Sequence, residues 1–271
     1  MTGKRIIITG AASGIGAATM AELRRRGADV IGLDLVAEQD GLIACDVRDQ
    51  GSVDDAVADA TARLGGGLDV LINCAGLATP QSAGLPPDAR ALAVIDVNLL
   101  GPWRVASAAL PALRLTHGRV VNVASGMAFV AQPFAAAYAM SKHGVVAYSQ
   151  ALRLEHGDEI SVTTVYPGYI RTPIHRDSIE FGLTLEGSSP EEKVEDAVDA
   201  LMRASFAEPP ARDIITTRTG KLTVALTRHL PGRLVDHLVL RAARKGLSRQ
   251  KLEHASGPLA DFASRLSRGS P

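Results

Sequence analysis

The sequence predicts a doubly wound α/β fold of three layers, with helices on both faces of a parallel sheet. Short apolar runs with strand character alternate with longer segments of helical period. These runs are apolar at nearly every position, as expected for strands buried on both faces, and right-handed crossovers then place helices on both sides of the sheet. The predicted strands are residues 5–9, 29–34, 42–45, 68–72, 119–124 and 160–166, with a last strand over 213–217.

A change of pattern near residue 219 divides the 271 residues into two parts. Residues 1–218 contain every predicted strand and form the predicted main domain. Residues 219–271 contain helix-length pieces separated by glycine and proline, which predicts a C-terminal helical extension. Within the main domain, the segment 35–41 is too short for an ordinary helix, so we expect a loop or a single turn there, beside a shallow groove.

The predicted extension is basic and carries an apolar stripe. Between residues 203 and 251 there are eleven Lys and Arg against three Asp and Glu. The stripe recurs at helical spacing, with arginines beside it, and consists of Leu234, Val235, Leu238, Val239 and Ala242. Packing against the body or a second subunit is the favoured interpretation. The two alternatives are that the stripe covers a substrate pocket or lies on an anionic membrane.

Composition excludes several classes of function. Lys plus Arg and Asp plus Glu each number 29, so the net charge gives no reason to expect a nucleic-acid partner. No apolar stretch approaches the ~18 residues of a membrane span, and the first residues lack the pattern of a signal peptide, so we expect a cytoplasmic protein. Cys45 and Cys74 are too few for a disulfide framework, and no cluster of histidine or cysteine predicts a metal site.

A glycine-rich turn follows the first predicted strand. It reads Thr-Gly-Ala-Ala-Ser-Gly-Ile-Gly over residues 9–16 and leads into a helical segment. Glycine lets the backbone approach a pyrophosphate closely, and the helix amino terminus offers unpaired N–H groups and a partial positive charge. A tight turn without a ligand is the alternative, but the position after the first strand of a parallel sheet favours phosphate binding. The predicted contacts are Gly10, Ser13, Gly14, Ile15 and Gly16.

An acidic residue, Asp34, ends the second predicted strand, eighteen residues beyond Gly16. At this spacing a carboxylate accepts hydrogen bonds from the adenosine ribose hydroxyls, whereas it repels a 2′-phosphate. No Lys or Arg lies in the glycine turn, and none follows Asp34 until Arg48. The sequence therefore favours NAD over NADP as the cofactor; the alternative is that Asp34 merely caps the next turn.

Two further segments follow the ends of predicted strands, at the edge of a parallel sheet where ligands bind. Asp46-Val47 comes after the third strand, and Asn73-Cys74-Ala75-Gly76 comes after the fourth. Taken singly, each segment is compatible with an ordinary loop. We expect cofactor contacts from Asp46, Val47, Asn73, Ala75 and Gly76.

A serine, a tyrosine and a lysine later in the chain are the side chains that acid–base chemistry on an alcohol needs. Ser125 ends the fifth predicted strand, and Tyr138 and Lys142 are four residues apart, on one face of the next helix. A phenol titrates near 10 when unperturbed, so a nearby ammonium is needed to lower its pKa. Ser125 then holds the substrate oxygen by a hydrogen bond. The alternative is a solvent-exposed helix face, because an isolated Tyr-x-x-x-Lys is common.

Taken together, these motifs resemble the short-chain dehydrogenase/reductase family over roughly residues 4–175. The resemblance implies a Rossmann-type sheet, a nicotinamide cofactor and a centre of Ser125, Tyr138 and Lys142. It also implies that Asn98 positions a water relay behind Lys142, and that Lys142 and Tyr138 contact the cofactor as well as the substrate. The nicotinamide contacts that it implies come from Pro167, Gly168, Ile170 and Thr172.

The chain departs from the family's usual pattern in two places. Cys74 stands where the family motif Asn-Asn-Ala-Gly has its second asparagine, which leaves the loop plausible. The common Val-Asp-Gly-Gly ending is missing, and this puts in doubt the subunit packing that family members build from it. We still expect a homo-oligomer, a dimer or a tetramer. Trp103, on the helix predicted over 99–115, is expected in the core or in such an interface.

The predicted function is interconversion of a secondary alcohol and a ketone, with NAD as the hydride carrier and no metal. An apolar substrate such as a steroid, retinoid or other lipid is expected because Met127, Ala128, Phe129, Val130 and Phe134 lie between Ser125 and Tyr138. Residues 172–192 are expected to form a mobile lid. The alternative from another class is a non-catalytic NAD-binding scaffold or sensor that docks through its basic tail, which the retention of all four catalytic side chains disfavours.

Overall fold

A seven-stranded parallel sheet forms the centre of the chain in the computed structural model, which describes residues 1–181, 190–249 and 257–267. The strands are β1 (Arg5–Thr9), β2 (Asp29–Asp34), β3 (Leu42–Ala44), β4 (Val70–Asn73), β5 (Arg119–Val123), β6 (Ser161–Tyr166), β7 (Tyr169–Ile170), β8 (Glu191–Glu192) and β9 (Asp213–Ile215). Their spatial order is β3-β2-β1-β4-β5-β6-β9, whereas β7 and β8 pair only with each other. The strand order reverses between β1 and β4, and ligands of such sheets bind beyond the carboxyl ends at this point.

Helices cover both faces of the sheet. They are α1 (Gly14–Arg25), α2 (Gln50–Arg63), α3 (Ala89–Ile95), α4 (Gly101–Arg114), α5 (Ala136–His156), α6 (Arg176–Glu180), α7 (Val194–Phe206), α8 (Arg218–His229), α9 (Gly232–Arg249) and α10 (Pro258–Ser267). A π-helical turn over Asp96–Leu100 joins α3 to α4. Short 3₁₀ turns lie at Gly126–Ala128 and Pro173–His175. The predicted doubly wound fold with C-terminal helices is confirmed.

Neighbouring residues of each central strand face opposite layers, which explains why the strands are apolar throughout. Ile7 of β1 packs in the layer of α2 and α4, against Val53 and Val105. Ile6 and Ile8 pack in the layer of α1 and α7, against residues such as Leu23 and Leu201. Alternating strand side chains point to opposite faces, so a sheet covered twice needs apolar residues at successive positions.

The observed strand ends differ from the predicted ones by at most two residues. The fourth strand occupies Val70–Asn73 rather than 68–72, and the last strand ends at Ile215 rather than at residue 217. The segment 35–41 forms no helix, as predicted. The prediction that Trp103 could lie in the core is wrong, because its side chain is 57% exposed and stacks on the ring of Tyr148 at 5.4 Å.

The C-terminal helices lie at the mouth of the sheet's carboxyl edge. Val235, Leu238, Val239 and Ala242 of the predicted stripe line a large cavity there, although Leu238, like Leu234, is largely exposed. The stripe thus faces a cavity of the body, as packing on the body or cover of a pocket both require, and its role in a subunit interface or at a membrane stays untested. The segment expected to be a lid contains the 3₁₀ turn, α6 and β8; its residues 182–189 lie outside the described residues. None of the described helices is long and apolar enough to span a bilayer.

Candidate active site

One cavity of about 940 Å³ runs along the carboxyl edge of the sheet. The loops after β1, β2, β3 and β4 line one end, and the segment between β5 and α5 lines the middle. The segment after β6 lies beside the glycine turn, where a Cβ on Gly14 would be 3.6 Å from Thr172 Cβ, and α6 and the C-terminal helices close the other end. This volume is at the upper end of the range for small-molecule sites, and it spans the point where the strand order reverses.

The glycine turn is packed closely against itself and against the loop after β4. Gly10 has a φ of +69°, and a Cβ there would come within 2.7 Å of the Cα of Ala75. A Cβ on Gly16 would fall on the carbonyl oxygen of Gly10. Ser13 is the N-cap of α1 but makes no side-chain cap hydrogen bond, so the first N–H groups of the helix stay available to an anion. All five predicted phosphate contacts line the cavity.

Asp34 accepts hydrogen bonds from two backbone N–H groups and also lines the cavity. Its Oδ2 accepts a hydrogen bond from the backbone N–H of Ala12 at 2.9 Å, and its Oδ1 accepts from Val36 at 3.4 Å. The same carboxylate lines the cavity. It thus ties the glycine turn to the end of β2 and retains lone pairs that can accept from two ribose hydroxyls. No arginine is among the described residues that line the cavity.

The arginine nearest in sequence after Asp34 is held by another carboxylate. Arg48 donates from Nε and Nη2 to Asp46 at 2.9 and 2.7 Å, and this pairing lowers the pKa of Asp46. Asp46 and Val47 line the cavity, as their predicted role requires.

The loop after β4 reaches the cavity, but Asn73 does not. Ala75 and Gly76 line it, and the hydroxyl of Thr9 accepts from the backbone N–H groups of Cys74 and Ala75 at 3.0 and 3.1 Å. Asn73 is buried behind this loop, where its Nδ2 donates to Asn122 Oδ1 at 2.9 Å. Asn73 therefore joins β4 to β5 and is not among the described residues that line the cavity, and its contact with a cofactor stays a prediction.

Asn98 lies in the π-helical turn and is fully buried. Its Oδ1 accepts from the backbone N–H of Leu77 at 2.8 Å, and its Nδ2 donates to the Leu77 carbonyl at 2.9 Å and to Ser141 Oγ at 3.2 Å. A Cβ on Gly76 would lie 3.3 Å from Asn98 Oδ1 and 3.8 Å from Lys142 Nζ. Asn98 thus holds the loop beside Lys142, and the extra residue of the π turn aims its side chain there.

Ser125, Tyr138 and Lys142 meet in the middle of the cavity. Ser125 is the second residue after β5 and hydrogen-bonds the side chain of Tyr138, which lies in the first turn of α5. One turn further along α5, Lys142 places Nζ 5.7 Å from the centre of the tyrosine ring and donates to the Val123 carbonyl at 2.9 Å. The predicted i, i+4 arrangement therefore points both side chains to the same cavity.

The ionisation of Tyr138 and Lys142 is shifted by burial. Burial raises the pKa of Tyr138 above its ordinary value of 10, and the hydrogen bond from Ser125 offsets only part of this rise. Burial also lowers the pKa of Lys142 from 10.5 to about 8. Loss of hydration is the largest influence on both groups, and the lowering effect of Lys142 on the pKa of Tyr138 stays a prediction. Tyr138 is consequently a neutral phenol at neutral pH.

The end of the cavity beyond Tyr138 is apolar. Met127, Phe129, Val130 and Phe134, from the segment predicted to contact substrate, all line it; Ala128 is buried and does not. Five residues of α9 line the same end: Val235, Leu238, Val239, Ala242 and Ala243. Phe262 of α10 packs edge-on against Phe134 at 5.3 Å, which joins the C-terminal helices to the main domain.

The loop after β6 brings its four predicted cofactor contacts to the cavity. Two further residues that the sequence did not single out also line the cavity. Pro167, Gly168, Ile170 and Thr172 line it. His175 lines it too, with its Nε2 3.0 Å from the Ile170 carbonyl and a pKa lowered by burial. Glu192 also lines it. Neither residue stands in a spacing that signals a function, and only the fold brings them to the site.

A parallel sheet with a dinucleotide cradle at one strand end and a Ser-Tyr-Lys group beside it defines an oxidoreductase that uses a nicotinamide cofactor. The profile of the family described as short chain dehydrogenase matches residues 4–181. The chain belongs to this family.

Relatives within this family agree with the class. The oxidoreductase UcpA of Salmonella typhimurium is 35% identical over 190 residues, which cover 64% of this chain and 72% of that protein. The 11-beta-hydroxysteroid dehydrogenase-like protein 6 of Arabidopsis thaliana is 34% identical over 191 residues, which cover 65% of this chain and 56% of that protein. A short chain dehydrogenase of Burkholderia cenocepacia, solved in complex with NADP, is 26% identical with a TM-score of 0.74, and the match covers 88% of this chain and 99% of that one.

Proposed function

We propose that this protein interconverts a secondary alcohol and a ketone carried on a large apolar body of the steroid, retinoid or lipid kind, with NAD as cofactor. One observation carries the proposal: a single cavity joins a dinucleotide cradle, the group of Ser125, Tyr138 and Lys142, and an apolar end of aliphatic and aromatic side chains. When bound, the nicotinamide ring supplies the hydride for reduction or accepts it in oxidation.

The proton chemistry belongs to Tyr138. In reduction, its phenol gives the proton of Oη to the substrate oxygen, and in oxidation the phenolate takes that proton back. The raised pKa keeps the phenol protonated at neutral pH, which is the form that reduction requires. Oxidation requires the phenolate, so its rate depends on pH more strongly than the rate of reduction does.

Ser125 and Lys142 act on the charge that develops during this transfer. The hydroxyl of Ser125 hydrogen-bonds Tyr138 and can donate to the substrate oxygen, which orients the carbonyl. The ammonium of Lys142, one helical turn from Tyr138, stabilises the phenolate that is left when the proton has moved. We also assign to Lys142 the binding of the nicotinamide ribose. Asn98 holds the Leu77 backbone beside Lys142 and in this way positions a water that relays protons.

The cradle fits a dinucleotide through features of its own. A side chain on Gly10 or Gly16 would strike the backbone of Ala75 or of Gly10 and distort the turn, and the uncapped start of α1 offers backbone donors to a pyrophosphate. Pro167, Gly168, Ile170 and Thr172 would hold the nicotinamide, and Asp46, Val47, Ala75 and Gly76 the adenosine side. Asp34 supports NAD over NADP, because its carboxylate is placed to accept from ribose hydroxyls and would repel a 2′-phosphate.

A test of cofactor choice uses Asp34→Asn, which keeps an oxygen for the Ala12 N–H but loses the charge. We expect the ratio of kcat/KM with NAD to that with NADP to fall about tenfold, because repulsion of the 2′-phosphate is removed. Asp49→Asn, at the cap of α2 and outside the cavity, is the matched control and should leave the ratio unchanged. An unaltered ratio in Asp34→Asn would remove Asp34 from its role.

The experiment that tests the function follows absorbance at 340 nm with NADH or NADPH and a panel of ketones. The panel contains steroid ketones, long-chain ketones and small ketones such as cyclohexanone. We expect turnover, with kcat/KM highest for the bulky apolar members because they fill the apolar end of the cavity. Cofactor binding without turnover of any member would refute the enzymatic function and would favour the non-catalytic scaffold.

We further propose that the chain forms a homo-oligomer. Two large apolar side chains, Leu100 and Trp103, are exposed at the start of α4, where a second copy could bury them. Sedimentation of the wild type should give a dimer or a tetramer, and Trp103→Ser should weaken this assembly.

The cytosolic location and the division of the chain at residue 218 stay predictions, which fractionation of cells and limited proteolysis can check.

A further inference from the structure

Glu192 is a buried carboxylate whose described partners are all neutral donors. Glu192 is only 8% exposed, and it lines the cavity. Oε2 accepts from the backbone N–H of Gly168 at 3.0 Å and from the hydroxyl of Thr216, and Oε1 accepts from the hydroxyl of Thr217 at 2.7 Å. Burying a carboxylate is costly unless hydrogen bonds compensate. Three donors from two separate segments therefore converge on one side chain.

The first of these contacts leads to the proposed reacting group. A Cβ on residue 168 would lie 2.5 Å from Glu192 Oε1 and 2.7 Å from its Cδ, so the approach requires the glycine that is there. The residue before it, Pro167, accepts at its carbonyl from the N–H of Gly126 at 2.9 Å. Gly126 follows Ser125 directly. Two hydrogen bonds thus connect Glu192, through the loop after β6, with the backbone beside the serine.

The other two contacts lead to the C-terminal helices. Thr216 and Thr217 follow β9, and the hydroxyl of Thr217 also accepts from the N–H of Gly220 at 3.1 Å, which holds the first turn of α8. Val224 of α8 and the stripe of α9 line the apolar end of the cavity. Glu192 therefore joins the loop on the proposed nicotinamide side to the start of the segment that closes the substrate side.

We propose that Glu192 is a positioning residue: it fixes the Pro167–Gly168 loop against the backbone beside Ser125 and aligns the first turn of α8 with it. This inference rests on the proposed function. Glu192 touches neither of the atoms between which the proton moves, so it acts through the residues that it holds. Its loss alters the orientation of the reacting groups more than it alters the affinity of the adenosine side, which lies at the other end of the cavity.

The test compares Glu192→Gln with Glu191→Gln. Both remove one carboxylate from β8, but Glu191 is exposed and pairs with Arg171 at the surface. In Glu192→Gln the amide presents an NH₂ group where an oxygen accepted, so one donor loses its partner. We expect kcat with a bulky ketone to fall about ten- to a hundredfold through misplacement, and the Kd of NADH to stay within about threefold. Glu191→Gln should keep the wild-type kcat.

A second readout does not depend on turnover. Amide hydrogen exchange of Gly168 should become faster in Glu192→Ala, which removes both oxygens and with them the acceptor of its N–H, while it stays unchanged in Glu191→Ala. If Glu192→Gln does not fold, Thr216→Val removes one donor and gives the same comparison in milder form. Unchanged kcat and unchanged Gly168 exchange in a folded variant overturn the inference, as does an equal loss in Glu191→Gln.

The same measurements separate this inference from the proposed function. An active wild type with a normal Glu192→Gln refutes the role of Glu192 alone. A wild type inactive on every ketone refutes the proposed function, and Gly168 exchange then decides whether Glu192 holds the loop. A fall in melting temperature with unchanged kcat of the folded fraction would show a structural role only and would overturn the positioning role.

Discussion

The two ends of the cavity are built in different ways. The dinucleotide end consists mainly of backbone: the glycine turn, the start of α1 and the loop after β4, which are tied to each other by Thr9 and Asp34. The substrate end consists of side chains from segments far apart in sequence, namely the loop before α5, α6 and the C-terminal helices. A shape made by backbone tolerates no added atoms, whereas a wall of apolar side chains changes volume with each substitution. The first end therefore suits one cofactor, and the second end sets the choice of substrate.

The largest expected effect lies between the two ends. Tyr138→Phe removes the proton donor while it keeps the ring and its packing, so kcat should fall about a thousandfold. The Kd of NADH should change by less than about threefold, because one hydroxyl contact among many is lost. Tyr148→Phe, on the same helix and stacked on Trp103, is the control and should keep kcat. Steady-state kinetics and titration of NADH check both statements, and a residual rate above about a tenth of wild type would contradict the role of Tyr138.

The next largest effect tests the backbone end. Gly16→Ala places a methyl group on the carbonyl oxygen of Gly10, so the turn must open and the affinity for NADH should fall about a hundredfold. Gly84→Ala is the matched control, since the nearest atom to its added Cβ is Ser82 Oγ at 3.8 Å. Fluorescence titration of NADH measures the affinity, and the melting temperature separates local from global damage. Equal affinities of the two variants would show that this end is less rigid than described.

The pH dependence of the two rates tests the ionisation of the reacting group that lies between the two ends. Because the pKa of Tyr138 is raised, its phenolate fraction is small near neutral pH, and the rate of oxidation should rise with pH by up to about tenfold per unit from 7 to 8 and less steeply above 8. Reduction uses the phenol and should stay constant below pH 8; above it, Lys142 loses its charge as pH passes its pKa of about 8. Profiles of kcat in both directions check this. An oxidation rate independent of pH from 7 to 9 would contradict a raised pKa.

The smallest effect tests the side-chain end. Val239→Phe adds volume to the wall that α9 contributes, so KM for a bulky ketone should rise several-fold by overpacking while a small ketone is unaffected. The Kd of NADH should not change. Leu222→Phe, at an exposed position of α8, adds the same ring size outside the cavity and should leave every constant unchanged. Loss of activity with the small ketone in Val239→Phe would mean that α9 supports the reacting group itself.

The difference between the two ends also explains what the sequence could predict. Continuous apolar runs identify strands buried on both faces, and the glycine turn, Asp34 and the Tyr-x-x-x-Lys pair are local patterns with fixed spacing. Their positions along the chain therefore predicted the fold and the lining of the dinucleotide end. The place of the α9 stripe was not predictable, because an apolar helix face suits a protein body, a pocket or a membrane equally well.

Single residues show the same limit. Glu192 reaches the site through the pairing of β8 with β7 and through Thr216 and Thr217, contacts that no short-range pattern contains. The side chain of Asn73 turns towards Asn122 on the neighbouring strand, and such a choice depends on tertiary packing. The prediction for the ionisation of Tyr138 rested on the charge of its neighbour, but the largest influence is the cost of burial, which only the folded structure reveals.

The π-helical turn over Asp96–Leu100 constrains how this chain can change. An α-helix advances about 100° per residue, so deletion of one residue here would restore ordinary winding and rotate everything after it by that angle. The inward face of α4, with Val105 and Ala109, would then leave the sheet, or Asn98 would leave Leu77. Insertions and deletions in related chains should therefore be confined to the loops on either side. The extra residue of the π-helical turn is kept because its removal would misplace either α4 or Asn98.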